Sequence, residues 1–280
     1  MASESTLSTF TASDGENLAV QDWPLEPGVT PRGVVLIVHG LGEHAGRYDH
    51  VAQQLNAWGF AVRGYDQCGH GESSGLPGSL PSDTRLLDDL ADIIDSTRAR
   101  MEPGTPLILL GHSMGGLVTG RFVSLGLRKV EALIMSSPAL NPGMNAFQKF
   151  LVAVLPTIAP NLRVGNGLNP TFISHDPAVV KAYTSDPLVH DRISARLARF
   201  FSTEGPATVA AAPQWKVPTL LMYAGDDRLV NPQGSRDFAA AAPKDQVTSV
   251  CFDALYHEIF NEKNATPVFA AMRSWLDQRF

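Results

Sequence analysis

Pro106-Leu-Ile-Leu-Leu-Gly-His-Ser-Met-Gly-Gly116 is an apolar run that breaks into a glycine-flanked serine and then into a helix-compatible stretch. The pattern G-x-S-x-G sets a serine at the tip of a sharp strand-to-helix turn, where Gly111 and Gly115 leave room because side chains there would collide. Taken alone, those five residues read more readily as a glycine-rich loop with an incidental serine. Their context selects the turn, because a Leu-rich run of strand length precedes them and residues 114–125 continue as a helix. Ser113 then projects its Oγ into a cleft.

Strand and helix signals alternate on both sides of this segment. Residues 34–38 form a continuous apolar, β-branched run, as in a strand buried on both faces, and it ends at His39-Gly40. Tyr48, Val51, Ala52, Leu55 and Trp58 recur at helical spacing up to Gly59, after which residues 60–65 read as the next strand. Leu86, Leu87, Leu90, Ile93, Ile94 and Thr97 mark a second amphipathic helix, closed by Pro103-Gly104, and the strand at 107–110 leads into the serine. Residues 130–135, 219–223 and 247–252 are further strand candidates. Residues 8–22 suggest an opening hairpin around Ser13-Asp14-Gly15-Glu16, and Phe269, Met272, Trp275 and Leu276 form the apolar face of a terminal helix.

This order predicts a single α/β domain over residues 1–280, with a mostly parallel central sheet and helices on both faces. Between 138 and about 199 the alternation fails at Pro142, Pro156, Pro160, Pro170, Pro177 and Pro187, which predicts a helical cap, or lid, inserted above the sheet. Phe147, Phe150, Leu151, Val154 and Leu155 suggest a cap helix apolar round much of its surface, suited to core packing, to shielding an acyl chain or to transient contact with a membrane surface.

The 280 residues carry a formal net charge of −6 with 44% hydrophobic and 18% charged residues, a globular profile with no basic patch for a nucleic-acid partner. Cys68 and Cys251 lie in unrelated contexts and do not suggest a disulfide framework. Cys68 reads as a small buried filler. The N-terminal residues lack a positive n-region and an apolar core, and the most apolar stretch, 150–159, is interrupted by Pro156. A cytoplasmic enzyme is the expectation.

A serine hydroxyl needs a base within hydrogen-bond reach and an acid that holds that base in the right tautomer. On this architecture the partners follow in the order Ser, Asp, His, each on a loop after a strand. Asp226-Asp227 follows the strand at 219–223, and His257 follows the strand at 247–252. Asp227 is the favoured acid because it stands just before the apolar pair Leu229-Val230; Asp226 remains the alternative, and Asp253 is a weaker one. Acyl transfer also requires donors aimed at the developing oxyanion. The backbone amides of Met114, after the serine, and of Leu41, in the loop His39-Gly40-Leu41-Gly42, are available. His39 and His44 lack the H-E-x-x-H spacing, so no metal and no cofactor is expected.

His39-Gly-Leu-Gly-Glu-His-Ala-Gly-Arg-Tyr48, Gly69-His-Gly-Glu-Ser73, Gly111-His-Ser-Met-Gly-Gly116 and His257-Glu-Ile-Phe-Asn-Glu262 together resemble the monoacylglycerol lipase and lysophospholipase branch of the α/β-hydrolases, from about residue 10 to 278. The resemblance implies a triad of Ser113, Asp227 and His257, an oxyanion hole from Leu41 and Met114, and a cap over an apolar acyl channel. It also implies that Glu43, Arg47 and His112 arrange the floor of the site, with His39 and Gly40 in support. The expected reaction is hydrolysis of a lipid-like ester, monoacylglycerol or lysophospholipid, through an acyl-enzyme. A carboxylesterase for small soluble esters and a non-catalytic ligand receptor on the same fold are the alternatives.

Overall fold

The computed structural model describes residues 4–141, 143 and 146–280, the side chains of 146–151 excepted. The first half of the chain contributes strands β1 (Thr6–Thr11), β2 (Asn17–Trp23), β3 (Gly33–Val38), β4 (Phe60–Tyr65), β5 (Leu107–His112) and β6 (Ala132–Ser136). A small antiparallel pair, β7 (Arg163–Gly165) and β8 (Arg192–Ser194), stands apart, and β9 (Thr219–Ala224) and β10 (Val247–Phe252) complete the main sheet. Its order is β1-β2-β4-β3-β5-β6-β9-β10. Only β2 runs against the others, pairing antiparallel with both β1 and β4.

The central strands β3, β5, β6 and β9 are almost entirely buried because both faces are covered, whereas edge strand β1 is largely exposed. Alternate side chains point to opposite sides, so Leu36, Val38, Leu109 and Met135 enter one core and Val35, Ile37, Leu110 and Ile134 the other. Helices α2 (Arg85–Arg98) and α3 (Met114–Ser124) close the first core with Leu86, Leu90, Leu117 and Phe122. Helices α1 (Asp49–Ala57) and, at the C-terminal end, residues Thr266–Asp277 close the second with Val51, Leu55, Met272 and Trp275. The mostly parallel, doubly covered sheet expected from the sequence is the one observed.

Between β6 and β9 the chain leaves the sheet and forms α4 (Ala146–Ile158), α5 (Pro177–Ser185) and the 17-residue α6 (Ala195–Ala211). Helix α6 runs unbroken through position 199 and carries Pro206 in its interior. A proline there normally ends a helix, which is why the sequence gives little sign of this one; buried Leu197, Phe200, Phe201 and Thr208 hold it against the core. Gly205 allows the approach, since a Cβ there would lie 2.6 Å from the Leu140 carbonyl oxygen. Helices α7 (Gln233–Ala241) and α8 (Thr266–Asp277) complete the fold, the latter carrying the apolar face read from the sequence. Among the described residues no helix is long and apolar enough to cross a membrane.

Phe122 is fully buried between α3 and the sheet. Phe122→Ala should cost about 3–5 kcal/mol in urea denaturation, as expected for a large aromatic removed from a close-packed core. A loss under about 1 kcal/mol would mean the first core is not packed as described.

Candidate active site

β5 ends at His112 and α3 begins at Met114, so Ser113 alone makes the turn, at φ 54° and ψ −116°. The turn is tight enough to exclude side chains on either side. A Cβ on Gly111 would sit 2.3 Å from both the Gly115 carbonyl oxygen and Thr119 Oγ1, and one on Gly115 would sit 2.0 Å from the Val38 carbonyl oxygen. The serine backbone is fully engaged: its N–H donates to Ser136 O at 2.9 Å, and its carbonyl accepts from Leu117 N and Ala139 N at 3.0 Å. Met114 opens α3, so its amide belongs to the helix end whose donors lack intrahelical partners.

The loop after β9 carries the two aspartates weighed from the sequence. Asp227 Oδ1 accepts from the amides of Leu229 and Val230, both at 2.9 Å, and Oδ2 meets His257 Nδ1 at 2.6 Å. Asp226 turns to the surface, where it pairs with Arg228 at 3.1 Å. Asp253 accepts from Cys251 Sγ at 3.3 Å instead. Of the three carboxylates weighed from the sequence, the structure therefore joins Asp227 to the imidazole.

The side chains of both members of this pair are buried. Burial alone would lower the His257 pKa, but the charge and hydrogen bond of Asp227, with Glu258 and Glu43 beyond, raise it above the ordinary 6.5. Burial would raise the Asp227 carboxyl, yet His257 and the two amides hold it below the ordinary range. His112, whose ring centroid lies 4.8 Å from that of His257, goes the other way: burial and its neighbour push it down to about 4. Only one of the two adjacent imidazoles is thus placed to carry charge near neutrality.

Ser113, His257, His112, Gly40, Leu41 and Glu43 line one cavity of about 150 Å³. Among the described residues no hydrogen bond joins Ser113 Oγ to His257. Gly40 sits against the serine, where a Cβ would lie 3.2 Å from Ser113 Cβ. Behind the cavity Glu43 accepts from Gly40 N and from the Tyr48 hydroxyl, both at 2.6 Å, and pairs with Arg47. Arg47 also grips Glu258 with two bonds of 2.8 Å. Burial would raise the Glu43 carboxyl, but Arg47, with His112 and His39, holds it at about 2.

Two members of this arrangement were not singled out from the sequence, although Glu258 stands inside the 257–262 motif. Glu258 is buried beside His257, and a buried charge demands a partner that only the fold supplies, here Arg47 from across the site. Gln67, fully buried, donates to both the ring and the carbonyl of His39. His44, passed over as a metal ligand, pairs with Asp186 at 3.0 Å.

A model of the hydrolase family described as serine aminopeptidase S33 matches residues 29–264. The chain belongs to this family. Within it, the chain is 34% identical over 271 residues to the monoacylglycerol lipase of Mycolicibacterium smegmatis, covering 96% of this chain and 95% of that one. It is 33% identical to an uncharacterized abhydrolase-domain protein of Dictyostelium discoideum, spanning 29% of that longer protein. The crystal structure of Paleococcus ferrophilus monoacylglycerol lipase superimposes with a TM-score of 0.82 at 33% identity, covering 98% of this chain and 99% of that one. The resemblance read from four short motifs thus extends across nearly the whole chain, and the fold is that of the α/β-hydrolases.

In an NMR titration His257 should lose its proton above 6.5, and in Asp227→Asn the midpoint should fall, since burial then acts with less opposition. The raised folded value makes the imidazolium a source of stability that is full below the unfolded value and lost as pH rises through the folded one. Asp227→Asn should flatten that slope in denaturation curves; an unchanged His257 midpoint would show that the pair is not coupled.

Proposed function

We propose that this protein is a serine hydrolase of lipid-like esters, monoacylglycerol or lysophospholipid, in which Ser113, His257 and Asp227 act as the triad, the Leu41 and Met114 amides receive the oxyanion, and residues 138–199 serve as the cap. The observation that carries the reading is the 2.6 Å bond from His257 Nδ1 to buried Asp227, in the same cavity as a serine held at positive φ. The near full-length similarity to proteins named monoacylglycerol lipase supports the ester and the alcohol.

With Nδ1–H given to Asp227, His257 keeps Nε2 free to take the Ser113 proton. The alkoxide then attacks the ester carbonyl, the negative charge rests on the two amides, and the alcohol leaves with the proton from His257. Water, deprotonated by the same imidazole, releases the fatty acid from the acyl-enzyme. The serine–histidine bond, absent among the described residues of the free protein, forms when substrate occupies the cavity, as such contacts do on moving to a Michaelis complex. Neutral His112 beside His257 spares the imidazolium a like charge.

Leu41, Ala139, Ile193, Phe201 and Val230 give the cavity an apolar wall for the acyl chain, while Glu43, His112 and Tyr183 offer polar groups to the alcohol. An adjoining chamber of about 520 Å³ shares Asn166, Leu168, Ile173, Tyr183 and Leu229 with it and extends the room available. The small volume next to the serine favours a second reading, a carboxylesterase for short soluble esters.

Exposed Val154, Ile158, Leu162, Val164 and Leu168 all lie within the proposed cap and support peripheral contact with a lipid surface. Of the apolar cap-helix face expected from the sequence, the side chains of Phe147, Phe150 and Leu151 lie outside the described residues.

Ser113→Ala should lower kcat on the order of 10⁶-fold while leaving the unfolding curve intact; near wild-type turnover would end the proposal. A series of p-nitrophenyl esters from C2 to C16, run beside monoacylglycerol and lysophospholipid, should rise with chain length. A maximum at C2 to C4 with no monoacylglycerol turnover would select the carboxylesterase. Sedimentation with liposomes should carry down part of the protein, and Ile158→Asp should reduce that part; no pelleting would remove the membrane contact.

A further inference from the structure

Two consecutive peptide units follow β3, and three of their four polar groups are taken. The His39 carbonyl accepts from Gln67 Nε2 at 2.7 Å, the Gly40 N–H donates to Glu43 Oε1 at 2.6 Å, and the Gly40 carbonyl accepts from His39 Nδ1 at 2.7 Å. The fourth group, the Leu41 N–H, has no hydrogen-bond partner among the described residues.

The hydrogen-bond partners assign the imidazole tautomer. The Gln67 backbone N–H donates to His39 Nε2 at 2.9 Å, so Nε2 carries the lone pair and the proton sits on Nδ1, facing the Gly40 carbonyl. His39 is fully buried, and that burial lowers its pKa and keeps this neutral form. In a trans peptide the C=O and N–H point to opposite sides. With the Gly40 carbonyl pinned to the imidazole, the Leu41 N–H must leave on the other side, in the loop whose Gly40 and Leu41 line the cavity with Ser113.

We propose that Gln67 is a positioning residue for the reaction: its side-chain amide fixes the His39 carbonyl while its main-chain N–H fixes the ring, and His39 in turn aims the Leu41 N–H at the oxyanion. This rests on the reading of Leu41 as an oxyanion donor and names what orients it. Space filling is a poor explanation for Gln67. Its Oε1 is buried without a partner, a cost that a leucine of similar volume avoids. His70 cannot relieve it, because its Nδ1–H goes to Cys68 O and its own Nε2 is likewise an unpartnered acceptor.

The test uses the full chain with Gln67→Leu, Gln67→Glu, His39→Ala and His39→Asn, and Ser113→Ala as control. Each variant is assayed on a p-nitrophenyl ester and for inhibition by an acyl trifluoromethyl ketone, whose hemiketal oxyanion seeks the same donors. Gln67→Leu and Gln67→Glu should lose about 10- to 100-fold in kcat with KM little changed, and inhibitor affinity should fall by the same factor as kcat/KM. His39→Asn, whose Nδ2 lies near the position of Nδ1, should recover much of what His39→Ala loses. Folded Gln67 variants with kcat within about 2-fold of wild type, or a loss confined to KM, would overturn the positioning role. Should the variants fail to fold, ¹⁵N spectra of the wild-type histidines decide: His39 as the Nδ1–H tautomer supports it, and Nε2–H overturns it. An active Ser113→Ala would bring down the reading of the whole site, whereas an inactive one beside unaffected Gln67 variants brings down only this inference.

Discussion

The backbone at Ser113 occupies a state that costs a non-glycine residue about 1–3 kcal/mol, and the surrounding fold has no room to relax it. Gly111 and Gly115 bring the end of β5 and the start of α3 so close to β3 and to each other that a methyl group at either would overlap a carbonyl oxygen. Three backbone hydrogen bonds then tie the serine to β6, to α3 and to the segment after β6. The consequence is chemical: the side chain is left at the tip of the turn, next to the first amide of a helix and against the Gly40 loop. Removing the strain would remove the exposure.

A buried charge network brings the other loops to that point. His257 follows β10, an edge strand, three places from β5 in the sheet, so its loop must reach back across β9 and β6. Arg47 supplies the anchor, holding Glu258 from the histidine loop and Glu43 from the Gly40 loop in one cluster. Such clusters contribute little net stability because desolvation offsets attraction. Their value lies in geometry, and here nearly every polar atom is satisfied: Glu258 also accepts from Asn261, and Glu43 from Gly40 and Tyr48. Helix α5 joins the same cluster, with the Arg47 guanidinium 4.7 Å from the Tyr183 ring centroid.

What the sequence made legible follows from range. β4 and β10 appear at the bounds the sequence suggests; in β4 burial on both faces leaves few polar interruptions to blur them, while β10 is a half-exposed edge strand rich in β-branched residues. The serine turn was legible because its glycines answer to steric limits within a few residues. The choice between Asp226 and Asp227 was harder, since it depends on which of two adjacent carboxylates faces inward. That is set by amides two and three residues on, and by Gly225, where a Cβ would lie 2.5 Å from Asp253 Cα. The roles of Gln67 and Glu258 were not legible because their partners stand 28 and 211 positions away. Helix α6 was masked by Pro206, whose local preference is overridden by the apolar residues packed beneath it.

The central claim, that three distant side chains and two amides converge on one reacting carbonyl, is tested most directly by a crystal structure of the protein after reaction with a long-chain alkyl fluorophosphonate. The account predicts phosphorus bonded to Ser113 Oγ, the phosphonyl oxygen about 3 Å from the Leu41 and Met114 nitrogens, and His257 Nε2 within hydrogen-bond reach of the Ser113 oxygen while Nδ1 stays on Asp227. Phosphorus on another residue, or a phosphonyl oxygen turned away from both amides, would contradict it.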